Sequence, residues 1–477
     1  MEFRLLRNQV YGSMESTHGH KFGLTPYACL YIDASWADCM YAVASSLRPN
    51  TNHEHNIKQL CALWNSQQSQ PHQVIPCLSV RTGLDLFFRV KRYPLGSEII
   101  MSAINIPDMV RIIEHHGLKV VPCDINLETL APKLDMLETL ISVNTVAIVI
   151  KHIYGRVSNI DGLVEIAKKH NLVVIEDNAE VFCGLKYLGH PKADMSLYSF
   201  GVIKPITAFG GAMVRVNDPK LYQDMHNLYQ QYSIQEHAVY LKKVMKYVAV
   251  KSLLNSSSAM YIAVPLARHY KFDYKEAFVN KLRGFPGDLI VKIRQRPSAA
   301  LLHTMHRRLK NFDEAAFQTN TSKGMYVSER LPSAVEHIGM KTDIRNYWLF
   351  PVVVHEPEQV IKELNKLGVE AYRGATQLNL VYPTQQPNRC PSPPPASQNA
   401  PGQEFADNHP HEAHYLIDHV IYLPVHKHVP QYYLDQICLA VEVALRRVAA
   451  KPFPKIVVID GKTVVLHNGE MKVKSKL

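Results

Sequence analysis

The chain predicts an α/β fold: a large domain built on a mostly parallel sheet with helices on both faces, followed by a smaller C-terminal α/β portion. Three observations predict it. From about residue 76, short continuous apolar runs alternate with stretches of helical spacing, the pattern of buried parallel strands and their crossover helices. The length of 477 residues, 47% hydrophobic and 20% charged, suits one large domain plus a smaller one. A second, shorter alternation begins at Arg345, after a mainly helical stretch.

The elements follow in order. Residues 1–75 read as an N-terminal extension closed by a Gln/Ser-rich linker, Ser66 to Gln73. Residues 76–220 form the large domain. Thr82 to Val90 starts a helix and Glu98 to Met101 is a strand. Pro107 to His116 is a helix with Met109, Ile112 and Ile113 on one face. Strands at Leu118–Cys123, Thr145–Ile150 and Leu172–Ile175 alternate with helices at Leu130–Ile141 and Leu163–His170. Residues 221–335 are a helical region joining the domains. Residues 336–450 are the small domain, with strands at Tyr347–Val354 and Ile421–Pro424 and helices at Pro357–Lys366 and Tyr432–Ala449. A proline-rich stretch over 383–411 has too few apolar residues to order itself and reads as a disordered insertion. In the tail, 451–477, Asp460-Gly461 and Asn468-Gly469 sit between β-branched runs and predict a small meander.

Composition narrows the partners. A formal net charge of +11 favours anionic ones: phosphorylated substrates, anionic membrane surfaces or nucleic acid. The basic residues are dispersed and no nucleic-acid module signature occurs, which sets nucleic acid aside. The basic, aromatic stretch around 240–268 reads first as a solvated helix with an apolar inner face, and second as a membrane-surface helix. Eight scattered cysteines without a CxxC pair read as reduced core residues of a cytoplasmic protein. Met1 to His20 lacks the apolar run of a signal peptide. The 24 histidines show no metal-binding spacing.

Two residues carry the chemistry. Asp177 closes the apolar run Leu172 to Ile175, and Lys204 ends Ser199-Phe200-Gly201-Val202-Ile203-Lys204. A lysine amine can form a Schiff base with the aldehyde of pyridoxal phosphate (PLP), and a buried carboxylate can hold the pyridine nitrogen protonated. Each residue alone is unremarkable, a surface lysine and a turn aspartate. Their order is the signal, with Arg81-Thr82-Gly83-Leu84 before a helix and Lys151-His152-Ile153-Tyr154-Gly155-Arg156 after a strand. Ile175-Glu176-Asp177-Asn178-Ala179-Glu180 and Gly210-Gly211-Ala212-Met213-Val214 complete the series.

In that order and spacing the chain resembles the DegT/DnrJ/EryC1/StrS aminotransferases over about 78–220, and more weakly at Arg345–Pro351 and Ile421–His426. The resemblance implies the fold-type I architecture of PLP enzymes, a homodimer with sites at the interface, and amino transfer from an amino acid, glutamate by analogy, to a keto sugar linked to a nucleotide. It implies that Lys204 is the Schiff-base lysine, Asp177 the partner of the pyridine nitrogen, and Ser199 a hydroxyl on the cofactor phosphate. Thr82 and Gly83 match the turn whose amides cradle that phosphate at a helix N-terminus. Three positions depart from the family pattern. Glu180 stands where Gln or His faces the cofactor's phenolic oxygen, Arg81 begins the phosphate turn, and Asn105 lies where an aromatic residue is expected. Two alternatives stay open: a PLP-dependent lyase or dehydratase, and a non-catalytic scaffold on the same fold. Arg373 and His426 are in segments that could reach the site, and a surface salt bridge or loop explains them equally well.

Overall fold

A computed structural model of the chain describes residues 27–48, 52–254, 287–374, 378–384 and 409–450, together with the backbone of three tail strands. A seven-stranded sheet organises it. Its strands in chain order are β1 (Gln73–Cys77), β2 (Glu98–Ser102), β3 (Lys119–Cys123), β4 (Thr145–Lys151), β5 (Val173–Asp177), β6 (Met195–Ser199) and β7 (Ala212–Val216). Across the sheet the order is β1-β7-β6-β5-β4-β2-β3. Every pair from β6 to β3 is parallel, and β7 runs antiparallel to both neighbours. The near-continuous apolar runs are explained by burial on both faces. Helix α1 (Val80–Lys91), Pro107–His115 and Pro219–Gln230 cover one face, and Leu134–Leu140 and Asp161–Lys169 the other.

Ser79 caps α1 by accepting the Thr82 N–H, so the helix starts at Val80, ahead of the expected Thr82. The extension drawn over 1–75 needs correction from residue 27 onward. Its helices Trp36–Leu47 and His53–Trp64 pack into the main body. Trp64 is fully buried, with its ring centroid 5.3 Å from that of Tyr198 and 6.3 Å from that of Phe200. The boundary at 75 also cuts β1. The polar Gln/Ser stretch before β1 conceals both features, because neither helix shares an apolar pattern with the sheet.

The region 221–335 is helical where described, at His237–Leu254, Leu289–Ile293, Ala299–Lys310 and Glu314–Ser328. Tyr240, Val244, Tyr247 and Lys251 form the buried face of the first of these. The remainder of the 240–268 stretch, after Leu254, lies outside the described residues. No described helix is long and apolar enough to cross a membrane. In the small domain Phe350–Val353 pairs antiparallel with Val420–Leu423, covered by Pro357–Lys366 and Gln431–Ala449. Most of the proline-rich stretch, 385–408, also lies outside the described residues. Its first residues do not: the Thr384 hydroxyl accepts the Val120 N–H at 2.9 Å, which ties the segment to the sheet edge. The tail strands Lys455–Ile459, Lys462–His467 and Glu470–Met471 pair antiparallel in sequence, as the meander requires.

Candidate active site

The carboxyl ends of β4, β5 and β6 build the site. Lys151 and Asp177 are the last residues of adjacent parallel strands and register partners, so their side chains emerge on the same face about 4.8 Å apart. They form an ion pair, Nζ to Oδ2 2.9 Å, with both side chains buried. The second Asp177 oxygen accepts the Ala179 N–H at 3.0 Å. One residue earlier the chain alternates to the other face. There Glu176 accepts from Tyr187 and Ser196 hydroxyls and the His190 N–H, each at 2.9 Å, and pairs with His152 at 3.1 Å. Burial alone would raise the Glu176 carboxyl, yet these partners hold it down to about 2. These hydrogen bonds favour its charged form beneath the strand end.

Lys204 follows a tight turn after β6, in which its N–H donates to the Gly201 carbonyl at 3.1 Å. Its ammonium lies 3.0 Å from Glu180 Oε1 and 4.7 Å from the centroid of the Trp348 ring. The side chain keeps 21% exposure, so the amine faces open space as well as its partners. Glu180 is buried and also accepts the Tyr154 N–H at 3.1 Å. Burial raises its carboxyl, but the Lys204 and Lys151 charges overcome this and leave it below the usual carboxylate value. Glu180 is therefore ionised, and a cation of this chain meets its charge. Ser199 borders the same turn, its Oγ accepting the Gly201 N–H at 3.3 Å.

The first turn of α1 lies one strand away on the same edge. Cys77 and Ser199 are both register partners of Ala212, and the Gly211 N–H donates to the Leu78 carbonyl. Thr82 and Gly83 do not present their amides at this edge: both donate to Ser79. The Thr82 hydroxyl donates to the Ile293 carbonyl at 2.8 Å. A Cβ on Gly83 would stand 2.6 Å from Val214, so this glycine serves close packing of helix on sheet. With Ser79 as cap, the first turn begins at Val80, which is buried, and Arg81. The Arg81 guanidinium pairs with Asp108 at 2.7 Å. Lys243 Nζ reaches to 3.0 Å from where a Cβ on Gly210 would lie. Burial, then Arg81 and Lys246, pull its ammonium down to about 8.

Other segments close the site. Asn346 fills the space above Gly155, where any side chain would collide with it, and accepts the Trp348 N–H at 2.8 Å. Gly155 has φ +74°, a backbone that glycine adopts without strain. Asn105 is pinned opposite Asn379, and its Oδ1 accepts the Ile106 N–H. A cavity of about 510 Å³ adjoins the Lys204 turn through Pro205, Ile206 and Trp348. Lys251, Arg307, Arg308 and Lys427 line it, against Asp33, Asp38 and Asp313. Arg373 instead pairs with Glu358 at 2.9 Å on the surface. His426 is buried against Tyr31, its ring nitrogen 3.1 Å from the Ala28 carbonyl, and burial pushes it down to about 3.

Sequence reasoning missed Lys151 and Trp348. The first had a signal: a lysine ending one apolar run beside another that ends in aspartate. Trp348 lies within the weaker resemblance at Arg345–Pro351, which marks the segment but not which of its side chains meets Lys204. The donor set fits PLP. It offers a reachable lysine amine, a carboxylate at the end of β5, a hydroxyl at Ser199, and cations beside a helix N-terminus for a phosphate.

The model of the DegT/DnrJ/EryC1/StrS aminotransferase family matches residues 69–442. A GDP-perosamine synthase of Escherichia coli O157:H7 is 37% identical over 130 residues, 27% of this chain and 35% of that protein. One from Caulobacter vibrioides is 32% identical over 157 residues, 32% of this chain and 42% of that protein. The chain thus spans about two-fifths or less of the length of these curated relatives. Helicobacter pylori PseC, an aminotransferase involved in the biosynthesis of pseudoaminic acid, superposes with a TM-score of 0.61 at 16% identity, covering 88% of this chain and 99% of that one. A Streptococcus pneumoniae structure solved in a PLP form gives 0.61 at 16% identity, covering 88% and 98%. At such identities the likeness establishes the fold, and the family match covers most of the chain. The chain belongs to the DegT/DnrJ/EryC1/StrS aminotransferase family.

Proposed function

We propose that the protein is a PLP-dependent aminotransferase that moves an amino group from an amino acid, glutamate in the first instance, to a keto sugar carried on a nucleotide. One observation carries the reading: at the carboxyl edge of a parallel sheet, a reachable lysine amine lies 3.0 Å from an ionised Glu180, beside the Asp177 that ends β5. Bound there, PLP would supply an aldehyde to carry the amino group and a ring to spread negative charge. Lys204 would bind that aldehyde and, once displaced by the donor, move the proton at the substrate α-carbon. Glu180 orients the lysine amine and compensates its charge. Asp177 would meet the ring nitrogen. Ser199, Arg81 and Lys243 would hold the phosphate.

The cavity supports the nucleotide-linked acceptor. Its lining carries four cationic side chains against three carboxylates, Asp33, Asp38 and Asp313, a net positive balance that suits an anionic group such as a diphosphate. Asp33 pairs with Lys427 at 2.7 Å, and Asp38 with Arg307 and Arg308. Lys251 makes no direct ion pair among the described residues, though Asp33 and Asp38 act on it from nearby, and its ammonium packs 5.4 Å from the Trp36 ring centroid. Absorbance spectra of the PLP-reconstituted protein, before and after adding glutamate, test the proposal. A visible band that moves to the pyridoxamine position upholds it. A band that ignores every amino donor points to the lyase chemistry, and no band at all to a scaffold.

A further inference from the structure

We propose that Lys151 is a built-in counter-ion of Asp177 and that it keeps the ring nitrogen of bound PLP neutral, acting as hydrogen-bond donor to that nitrogen. This rests on the cofactor reading above. Asp177 is spoken for before any ring arrives. One oxygen accepts the Ala179 N–H at 3.0 Å, and the other meets Lys151 at 2.9 Å. Lys151 cannot swing away. Its side chain is 2% exposed, and its own N–H donates to the Ser102 hydroxyl at 2.9 Å. Protonating the ring nitrogen would bring a second cation to a buried carboxylate that already neutralises one. Glu180, the other acid here, is engaged by Lys204, and Glu176 lies on the opposite face of β5, where it accepts from Tyr187, Ser196 and the His190 N–H. No uncommitted negative charge remains for a pyridinium among these groups. An ammonium has three donors, so Lys151 can hold Asp177 and still offer a proton to a neutral pyridine nitrogen. A neutral ring withdraws charge more weakly, which places more of the α-proton transfer on Lys204.

The test is ¹⁵N NMR of the full-length protein loaded with PLP labelled at the ring nitrogen. The native protein should show the neutral-pyridine resonance at pH 7. Lys151→Met should move it to the pyridinium position. Lys151→Gln, which keeps a hydrogen bond to Asp177 without the charge, should do the same and serves if the methionine variant folds poorly. A pyridinium resonance in the native protein overturns the inference while leaving the cofactor reading intact. A neutral resonance in every variant overturns it as well, because lysine is then not the cause. Uptake of PLP only by the variants also overturns it, since Lys151 would then exclude the ring. Failure of every form to develop the visible band ends the cofactor reading itself.

Discussion

The two sides of Lys204 are built on opposite electrostatic plans. Beneath it, at the strand ends, cations and acids are matched: Lys151 pairs with Asp177 and Lys204 with Glu180, while Glu176 is held by hydrogen bonds from Tyr187, Ser196 and the His190 N–H. Beyond Trp348, in the cavity, cations outnumber acids, and Lys251 makes no direct ion pair among the described residues, with Asp33 and Asp38 acting on it from nearby. The difference separates two tasks. A closed set of pairs fixes positions and protonation states, because removing any member strands a buried charge. An open excess of charge is left for a ligand to satisfy. The largest effect should come from the residue where the two meet. Lys204→Ala is expected to cost roughly 10³-fold or more in turnover, and to abolish the visible band of lysine-bound PLP. Full activity in this variant would break the comparison at its centre.

The paired side should answer next, in stability. Asp177→Ala leaves the Lys151 ammonium buried without its partner, a loss of about 3–5 kcal/mol, to be read by chemical denaturation. Adding Lys151→Met should restore most of it, since removing both members of a buried pair is commonly close to neutral. If the double variant is as weak as the single one, the pair is not what Asp177 contributes.

How legible each side was follows from how each is made. The paired floor comes from strand ends, and a buried parallel strand announces itself as an apolar run that stops at a polar residue. Asp177, Ser199 and Lys204 are readable that way. Glu180 is readable as a departure at a position the family pattern marks. Lys151 was within reach, but seeing it requires two strand ends in register, which one strand does not reveal. The start of α1 slipped because Ser79, rather than a residue nearer Thr82, is the cap. The open side is assembled from residues 31–38, the helix Ala299–Lys310 and Lys427–His428. No local pattern joins segments so far apart, and the first of them sits in what reads as a mere extension.

On the open side, effects should appear in binding rather than in folding. Lys251→Met removes a buried cation that makes no direct ion pair among the described residues and whose burial outweighs the pull of Asp33 and Asp38, so stability should hold or rise. The KM for an anionic acceptor should increase about tenfold, the equivalent of ~1.4 kcal/mol, with kcat nearly unchanged. The increase should shrink in high salt. An equal fall in kcat would mean that Lys251 acts on the chemistry and that the cavity is not merely a binding surface.

The smallest effect concerns Lys243, which repeats the open plan at the foot of α1. Its ammonium is drawn down to about 8 by burial first and by Arg81 next. In the unfolded chain the group returns to about 10.4. Between those values the native state binds fewer protons than the unfolded one, so this group makes stability rise with pH over that window. At neutral pH it is charged at a cost that an anion would relieve. Binding of inorganic phosphate to the cofactor-free protein should therefore weaken, by about tenfold at most, as pH climbs through 8. In Lys243→Met that slope should vanish, along with the rise in melting temperature between pH 8 and 10. Isothermal titration at pH 7 and pH 9 reads the first, and thermal melts read the second. A native protein whose phosphate affinity ignores pH would remove Lys243 from the phosphate end and leave Arg81 and the α1 terminus to hold it alone.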